Sequence, residues 1–217
     1  MPVRACIFDL DGVIADTSRH HFLAWGTLAE SLGIPFDERD NDALKGVSRL
    51  RSLELILEKS DRSYSPAERD AFADRKNAEY RRRIAGISPA DVLPGVHDAL
   101  AWLRARGTLT GLASASKNAA FVIERLGLEN MFDYVADANL ISNGKPAPDI
   151  FLDVARALKT DPANCIAVED AAAGVQAIKA AGMFAIGVGD PAILHQADVV
   201  WPGLDHADFE GLMQGGN

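Results

Sequence analysis

The chain has little cysteine, no long apolar run and no surplus of positive charge, and each shortage removes a class of protein. Its two thiols, Cys6 and Cys165, each sit inside a short apolar segment. They read as buried free thiols in a reducing compartment, not as a disulfide framework or a metal pair. No uncharged apolar stretch is long enough to span a bilayer. The N-terminal apolar run is broken at once by Asp9 and Asp11, and Arg4 stands alone ahead of it, which is not the layout of a signal peptide. A soluble cytoplasmic protein with no membrane partner is expected. With 22 basic against 31 acidic residues the net charge is −9, and so acidic a chain is a poor nucleic-acid binder. Internal repeats, low-complexity tracts and coiled-coil heptads are also missing, so a monomer is the default expectation.

What is present is an α/β pattern. Of the 217 residues, 48% are apolar and 24% charged, ample for a core. Short apolar runs near 3–9, 108–114, 134–137, 165–169, 184–188 and 198–200 read as strands. Several are apolar at consecutive positions, as buried parallel strands are. Helix-like segments near 95–106, 117–127, 147–159 and 171–181 alternate with them, which is the βαβ rhythm of a parallel sheet. The rhythm fails between about 16 and 92. There, segments 18–33, 38–45, 49–60 and 66–84 read as helices. His21, Trp25, Leu28 and Leu32 share one face of the first, and Gly33 supplies its stop. The reading is a Rossmann-like parallel-sheet core, 1–15 and 93–217, with an inserted α-helical cap domain, 16–92. The insert carries 13 basic and 14 acidic residues, so most of the negative charge lies in the core. The Gly215-Gly216-Asn217 tail is expected to fray.

Four segments end apolar runs or turns with groups suited to phosphoryl transfer, and open α/β sheets bind ligands at the carboxyl ends of their strands. Asp9 and Asp11 are two apart after Ala5-Cys6-Ile7-Phe8, so in extended backbone they point the same way. One suits a nucleophile and the other a proton donor. A calcium loop is the rival reading, but Val13 cannot ligate. Glu169-Asp170 ends a second apolar run; with Asp9 it offers hard oxygen ligands for Mg²⁺. Ser114 ends a third, and Ser114-Ala115-Ser116-Lys117-Asn118 opens a helix whose free N–H groups suit phosphate, with Ser116 as the expected N-cap. Lys145, held out of helix by Pro146, brings a cation to the acidic groups.

Asp9-Leu10-Asp11-Gly12, Ser114, Lys145-Pro146 and Glu169-Asp170, in this order, resemble the four motifs of the haloacid dehalogenase superfamily. Asp16-Thr17 with His21 and Trp25, Lys45-Gly46-Val47-Ser48-Arg49, Arg75-Lys76-Asn77, Ser88-Pro89-Ala90-Asp91-Val92, Ser114 to Asn118 and Lys145 to Asp149 are similar to its β-phosphoglucomutase family. The Ala171-Ala172-Ala173 run departs from it, where a polar residue is expected beside the metal pair.

The resemblance implies exchange of a phosphoryl group between β-glucose 1-phosphate and glucose 6-phosphate through an aspartyl phosphate and a glucose bisphosphate. Asp9 would be the nucleophile and Asp11 the acid/base, with Ser114 and Lys145 on the transferring group. Mg²⁺ would lie among Asp9, Glu169, Asp170 and the backbone carbonyl of Asp11. Arg49, Ser116, Lys117 and Asn118 would grip the distal phosphate. Thr17, His21 and Lys76 would couple the cap to Asp11, and Trp25, Gly46, Val47, Ser48, Ser52 and Ala115 would complete the sugar-phosphate site. Two rival functions use parts of the same pattern. A small phosphomonoester phosphatase needs no distal grip. A receiver-like phosphoacceptor module has no use for a large insert or for Asp11.

Overall fold

The computed structural model describes residues 3–214. Six parallel strands form one sheet: β1 (Ala5–Phe8), β2 (Leu109–Leu112), β3 (Tyr134–Val135), β4 (Cys165–Glu169), β5 (Phe184–Val188) and β6 (Val199–Trp201), in the spatial order β3-β2-β1-β4-β5-β6. All six lie where the apolar runs place them. The first strand is central: Ile7 pairs with Gly111 on one side and Ala167 on the other. Its alternate residues feed two cores. Cys6 and Phe8 join Leu100, Leu103 and Val122 on one face. Ala5 and Ile7 join Phe151, Val154 and Ile178 on the other. Those partners come from helices α5 (Val96–Ala105) and α6 (Ala119–Arg125) on the first face, and α7 (Asp149–Ala157) and α8 (Ala172–Ala180) on the second. A sheet covered on both faces explains strands that read as continuous apolar runs.

Between β1 and α5 the chain forms four α-helices among the described residues: α1 (Ser18–Ser31), α2 (Glu38–Asp42), α3 (Arg49–Leu57) and α4 (Pro66–Ile84). They bury a separate core of Trp25, Leu28, Leu53, Ile56, Leu57 and Ala73. The fourth helix is nineteen residues long and starts from a capping box, Ser65 with Glu68, and a proline at its first position. Gly33 stops the region after α1 at φ +69°, and Trp25 and Leu28 of the expected face are buried.

Several expected helices are shorter. The segment 38–45 narrows to Glu38–Asp42. The helix expected from 117 begins at Ala119, and Ser116 is not its cap: Asn118 holds that position without a side-chain cap bond. The Ser116 hydroxyl instead accepts from the Asn118 N–H at 3.2 Å, a local turn bond that competes with helix. A last helix, α9 (Phe209–Gln214), was not anticipated, being short and interrupted by Gly211. The Gly215-Gly216-Asn217 tail lies outside the described residues.

Long side chains link the region of α4 to α6. Arg81 places its guanidinium 5.6 Å from the Phe121 ring. Arg125 donates to the carbonyls of Ile87 at 3.2 Å and Ala85 at 3.3 Å, where α4 ends.

Candidate active site

Three strand ends meet at the site. Beyond β1, the Asp9 N–H bonds to the Val168 carbonyl at 2.9 Å, and Gly12 turns the chain at φ +81°. A Cβ on Gly12 would stand 2.1 Å from Asp170 Oδ2. The β1 turn and the β4 end therefore approach as closely as backbone allows, and only glycine satisfies both demands. Gly174 does the same for the neighbouring carboxylate: a Cβ there would lie 2.0 Å from Glu169 Cδ.

Asp9, Glu169 and Asp170 bring one carboxylate oxygen each within 4.8 Å of one another. Lys145 is buried beneath them and donates to Asp9 Oδ1 at 2.6 Å and Glu169 Oε2 at 2.7 Å. Burial opposes its charge, but the Asp9 and Glu169 carboxylates raise its pKa above the ordinary lysine value. Burial first, then Asp9, pushes Glu169 up to about 7 against the pull of Lys145. Asp170 is driven well above the carboxylate range by burial, then by Glu169, Asp9 and Asp11. Geometry decides the Lys145–Glu169 pair: the two short contacts make Lys145 an ammonium between carboxylates. One ammonium serves three carboxylates, and an all-oxygen donor set suits a hard cation, so the cluster fits a metal ion.

Asp11 turns away from this cluster toward the insert. Its N–H donates to Asp9 Oδ2 at 3.1 Å, while its Oδ1 accepts from the Thr17 hydroxyl. His21 Nε2 lies 3.6 Å from the same oxygen; the two side chains keep 26% and 23% of their surface open. Behind His21, Nδ1 meets Lys76 Nζ at 2.6 Å, and the ring stacks on Tyr80 with centroids 3.9 Å apart. The Lys76 ammonium also lies 4.6 Å from the Trp25 ring centroid and 4.9 Å from that of Tyr80. Burial, then Asp9, lifts Asp11 to about 6, with Thr17 and Lys76 opposing. Burial, then Arg49, lowers Lys76 to about 7. His21 falls well below its ordinary value through burial, Lys76 and Arg49. A neutral His21 accepting from Lys76 carries its proton on Nε2, the nitrogen nearer Asp11.

One cavity joins these groups to a second set. Asp9, Asp11, Asp170, His21, Trp25 and Lys76 line it together with Gly46, Val47, Arg49, Ser52, Ala115, Ser116, Lys117 and Asn118. The positions Thr17, Ser48, Ser114, Lys145 and Glu169 do not line it. Thr17 stands behind Asp11. Ser114 is buried, its hydroxyl accepting from the Ser116 N–H at 3.1 Å. Ser48 caps α3 by accepting from the Arg51 N–H at 3.4 Å, and with Lys145 it lines an adjoining cleft. The Ala171 run has a steric partner: a Cβ on Gly46 would come 3.2 Å from Ala171 Cβ, and the Ala171 N–H donates to Glu169 Oε1 at 3.3 Å.

Sequence reasoning gave no site role to several residues, two of them with specific contacts. Asn77 accepts from Arg49 Nη2 at 2.8 Å and Asn118 Nδ2 at 3.0 Å; the Arg75-Lys76-Asn77 segment marked it without giving it a role. Tyr80 lies one helical turn beyond Lys76 and reads as core. Ser18, Asn41, Leu44 and Lys45 also line the cavity.

The haloacid dehalogenase-like hydrolase family model matches residues 3–182. The β-phosphoglucomutase of Bacillus subtilis is 46% identical over 200 residues, spanning 91% of this chain and 88% of that protein. A fructose-1-phosphate phosphatase of Escherichia coli is 34% identical over 84% of this chain and 94% of its own. The crystal structure of a β-phosphoglucomutase from Clostridium difficile superposes with a TM-score of 0.94 at 43% identity, over 98% of this chain and 96% of that one. Since these matches run through the sheet and the helical insert alike, the chain belongs to the haloacid dehalogenase-like hydrolase family, as a relative of its β-phosphoglucomutases.

Proposed function

We propose that the protein is a β-phosphoglucomutase, interconverting β-glucose 1-phosphate and glucose 6-phosphate by way of a sugar bisphosphate. The carrying observation is the single cavity lined both by Asp9, Asp11 and Asp170 and by Arg49, Lys117 and Asn118. A nucleophile at one place and cations at another suit a substrate held by one phosphate while the other reacts.

In the first half-reaction Asp9 attacks phosphorus of the bisphosphate. The P–O bond to the sugar breaks, and the sugar oxygen takes a proton from Asp11. The second half reverses this at the other hydroxyl, with Asp11 as base. A carboxyl lifted to about 6 supports that double duty near neutrality. Lys145, bonded to Asp9, supplies a fixed positive charge beside the transferring group; Ser114 is assigned to that group by its strand-end position, its hydroxyl here being engaged by the Ser116 N–H. Thr17 orients Asp11, and Lys76 through His21 sets its surroundings from the insert. Mg²⁺ bound among Asp9, Glu169, Asp170 and the Asp11 carbonyl would offset charge on the transferring oxygens. The helical insert acts as a cap that keeps water from the aspartyl phosphate. Small sugar phosphates are its partners, and we place it in the cytoplasm as a monomer. Among the described residues no helix is long and apolar enough to cross a membrane.

The E. coli phosphatase relative favours a second reading, hydrolysis of a small sugar phosphate on the same core. One assay separates them. With Mg²⁺, β-glucose 1-phosphate and a trace of bisphosphate, glucose 6-phosphate should accumulate while free phosphate stays near background. Release of free phosphate in step with consumption would make it a phosphatase. Arg49→Ala should lose mutase turnover more than hydrolysis of acetyl phosphate, which has no distal phosphate; an unchanged ratio would remove the distal grip.

A further inference from the structure

Asn77 belongs to the Arg75-Lys76-Asn77 segment, but the family resemblance gives it no role. It sits on α4, half-buried, and lines the cavity. Its side-chain oxygen takes one hydrogen from Arg49 at the start of α3 and another from Asn118 ahead of α6. Chemistry fixes which atom faces them. Arg49 has only donors, so the Asn77 amide must present its oxygen there, and that oxygen's two lone pairs are then both used. Arg49 has five N–H donors and the Asn118 amide two. Spending one each on Asn77 leaves the rest free, with both groups fixed beside one another at the cavity.

The placement of Asn77 is itself held. Four residues further along α4, Arg81 lies over Phe121, and four beyond that, the Ala85 carbonyl accepts from Arg125. Positions 77, 81 and 85 of the insert thus meet 118, 121 and 125 of the core in register. The Asn77–Asn118 bond is the end of that seam nearest the reacting groups.

We propose that Asn77 is a positioning residue for the non-reacting phosphate. It locks the cap's arginine to the core's asparagine so that their remaining N–H groups converge on one anion. This rests on the reading of Arg49 and Asn118 as the distal grip. An anion then meets donors already oriented, and its binding spends less on ordering them.

The test compares the kcat/KM for β-glucose 1-phosphate with that for acetyl phosphate in wild type, Asn77→Ala, Asn77→Leu, Arg49→Ala and Asn77→Ala/Arg49→Ala. A lost hydrogen bond to a charged group is expected to lower the ratio about tenfold in Asn77→Ala. Acetyl phosphate turnover reports that the variant is folded. Asn77→Leu, which keeps bulk and lacks the acceptor, should lose as much. In the Arg49→Ala background the same change should lower the ratio by clearly less, since the charged partner is gone and only the neutral bond to Asn118 remains to be lost. An equal fall in both backgrounds, or a wild-type ratio in Asn77→Leu, overturns the proposal while leaving the distal grip intact. A wild-type ratio in Arg49→Ala overturns the grip itself, and the positioning role with it.

Discussion

Replacing Lys76 by methionine should stabilise the fold at pH 6 and stabilise it less at pH 9. The ammonium is buried against Trp25, Tyr80 and His21, and its pKa falls from 10.5 to about 7, chiefly through burial and then through Arg49. At about 1.4 kcal/mol per tenfold change in proton binding, holding that charge costs the native state about 5 kcal/mol at pH 6. Below pH 7 the lysine is charged whether folded or unfolded, and the whole cost is present. Between 7 and 10.5 the folded chain has released the proton while the unfolded chain keeps it. The unfolded state then binds more protons, so wild-type stability rises with pH. At pH 9 the remaining cost is about 2 kcal/mol. Methionine keeps the length and most of the packing, but forfeits two cation–π contacts of about 0.5–1 kcal/mol each and leaves His21 Nδ1 unpaired. The net gain should be about 2–3 kcal/mol at pH 6 and about 1 kcal/mol at pH 9, where the neutral amine has no cation–π contact to lose and only its bond to His21 is forfeited. Urea denaturation at the two pH values, with wild type alongside, measures it. A gain of equal size at both, or a loss at pH 6, would refute the idea that this buried charge is a burden carried for the site. Sugar-phosphate turnover should fall in the same variant, the expected trade between stability and activity.

Asp9→Asn should abolish turnover and covalent labelling, because an amide is no nucleophile; intact-mass measurement after mixing with a phosphodonor should show a labile phosphate on wild type only. Asp11→Asn should lower turnover by about 10²–10⁴-fold while leaving metal affinity nearly intact, its proposed ligand being the main-chain carbonyl; isothermal titration with Mg²⁺ alongside kinetics checks both halves. Gly174→Ala, which puts a methyl 2.0 Å from Glu169 Cδ, should weaken metal binding by at least about tenfold even though the residue has no functional group; wild-type affinity would show that Glu169 can move aside.

The sheet was legible because each strand is buried on both faces and so spells its length in consecutive apolar residues, as in Cys165-Ile166-Ala167-Val168. The insert was legible for the opposite reason: from Ser18 to Ile84 apolar residues recur at helical spacing and no such run occurs. Strand-end chemistry at Asp9, Ser114 and Glu169 followed from those runs. Helix starts were less visible, because Ser114 and Ser116 turn their hydroxyls onto N–H groups two residues ahead, and a serine bonded in that way looks in sequence like a cap. Asn77 and Tyr80 were hidden for a deeper reason. Their roles come from partners on other elements, Arg49 and Asn118 for one and His21 for the other. No local pattern encodes a meeting between residues 28 or 41 positions apart.

The two thiols supply a gauge that needs no engineering. Cys6 and Cys165 lie on adjacent central strands but face opposite layers of the sheet, both fully covered. Residues 16–92 contain no cysteine at all. A thiol reagent is therefore blind to any movement of the helical insert and records only the rarer events that part the sheet. Labelling rates with and without substrate would report how far occupancy of the cavity reaches into the sheet, separately from whatever it does to the helices above. Labelling at Cys6 and at Cys165, resolved by peptide mass, would show whether the two layers open together.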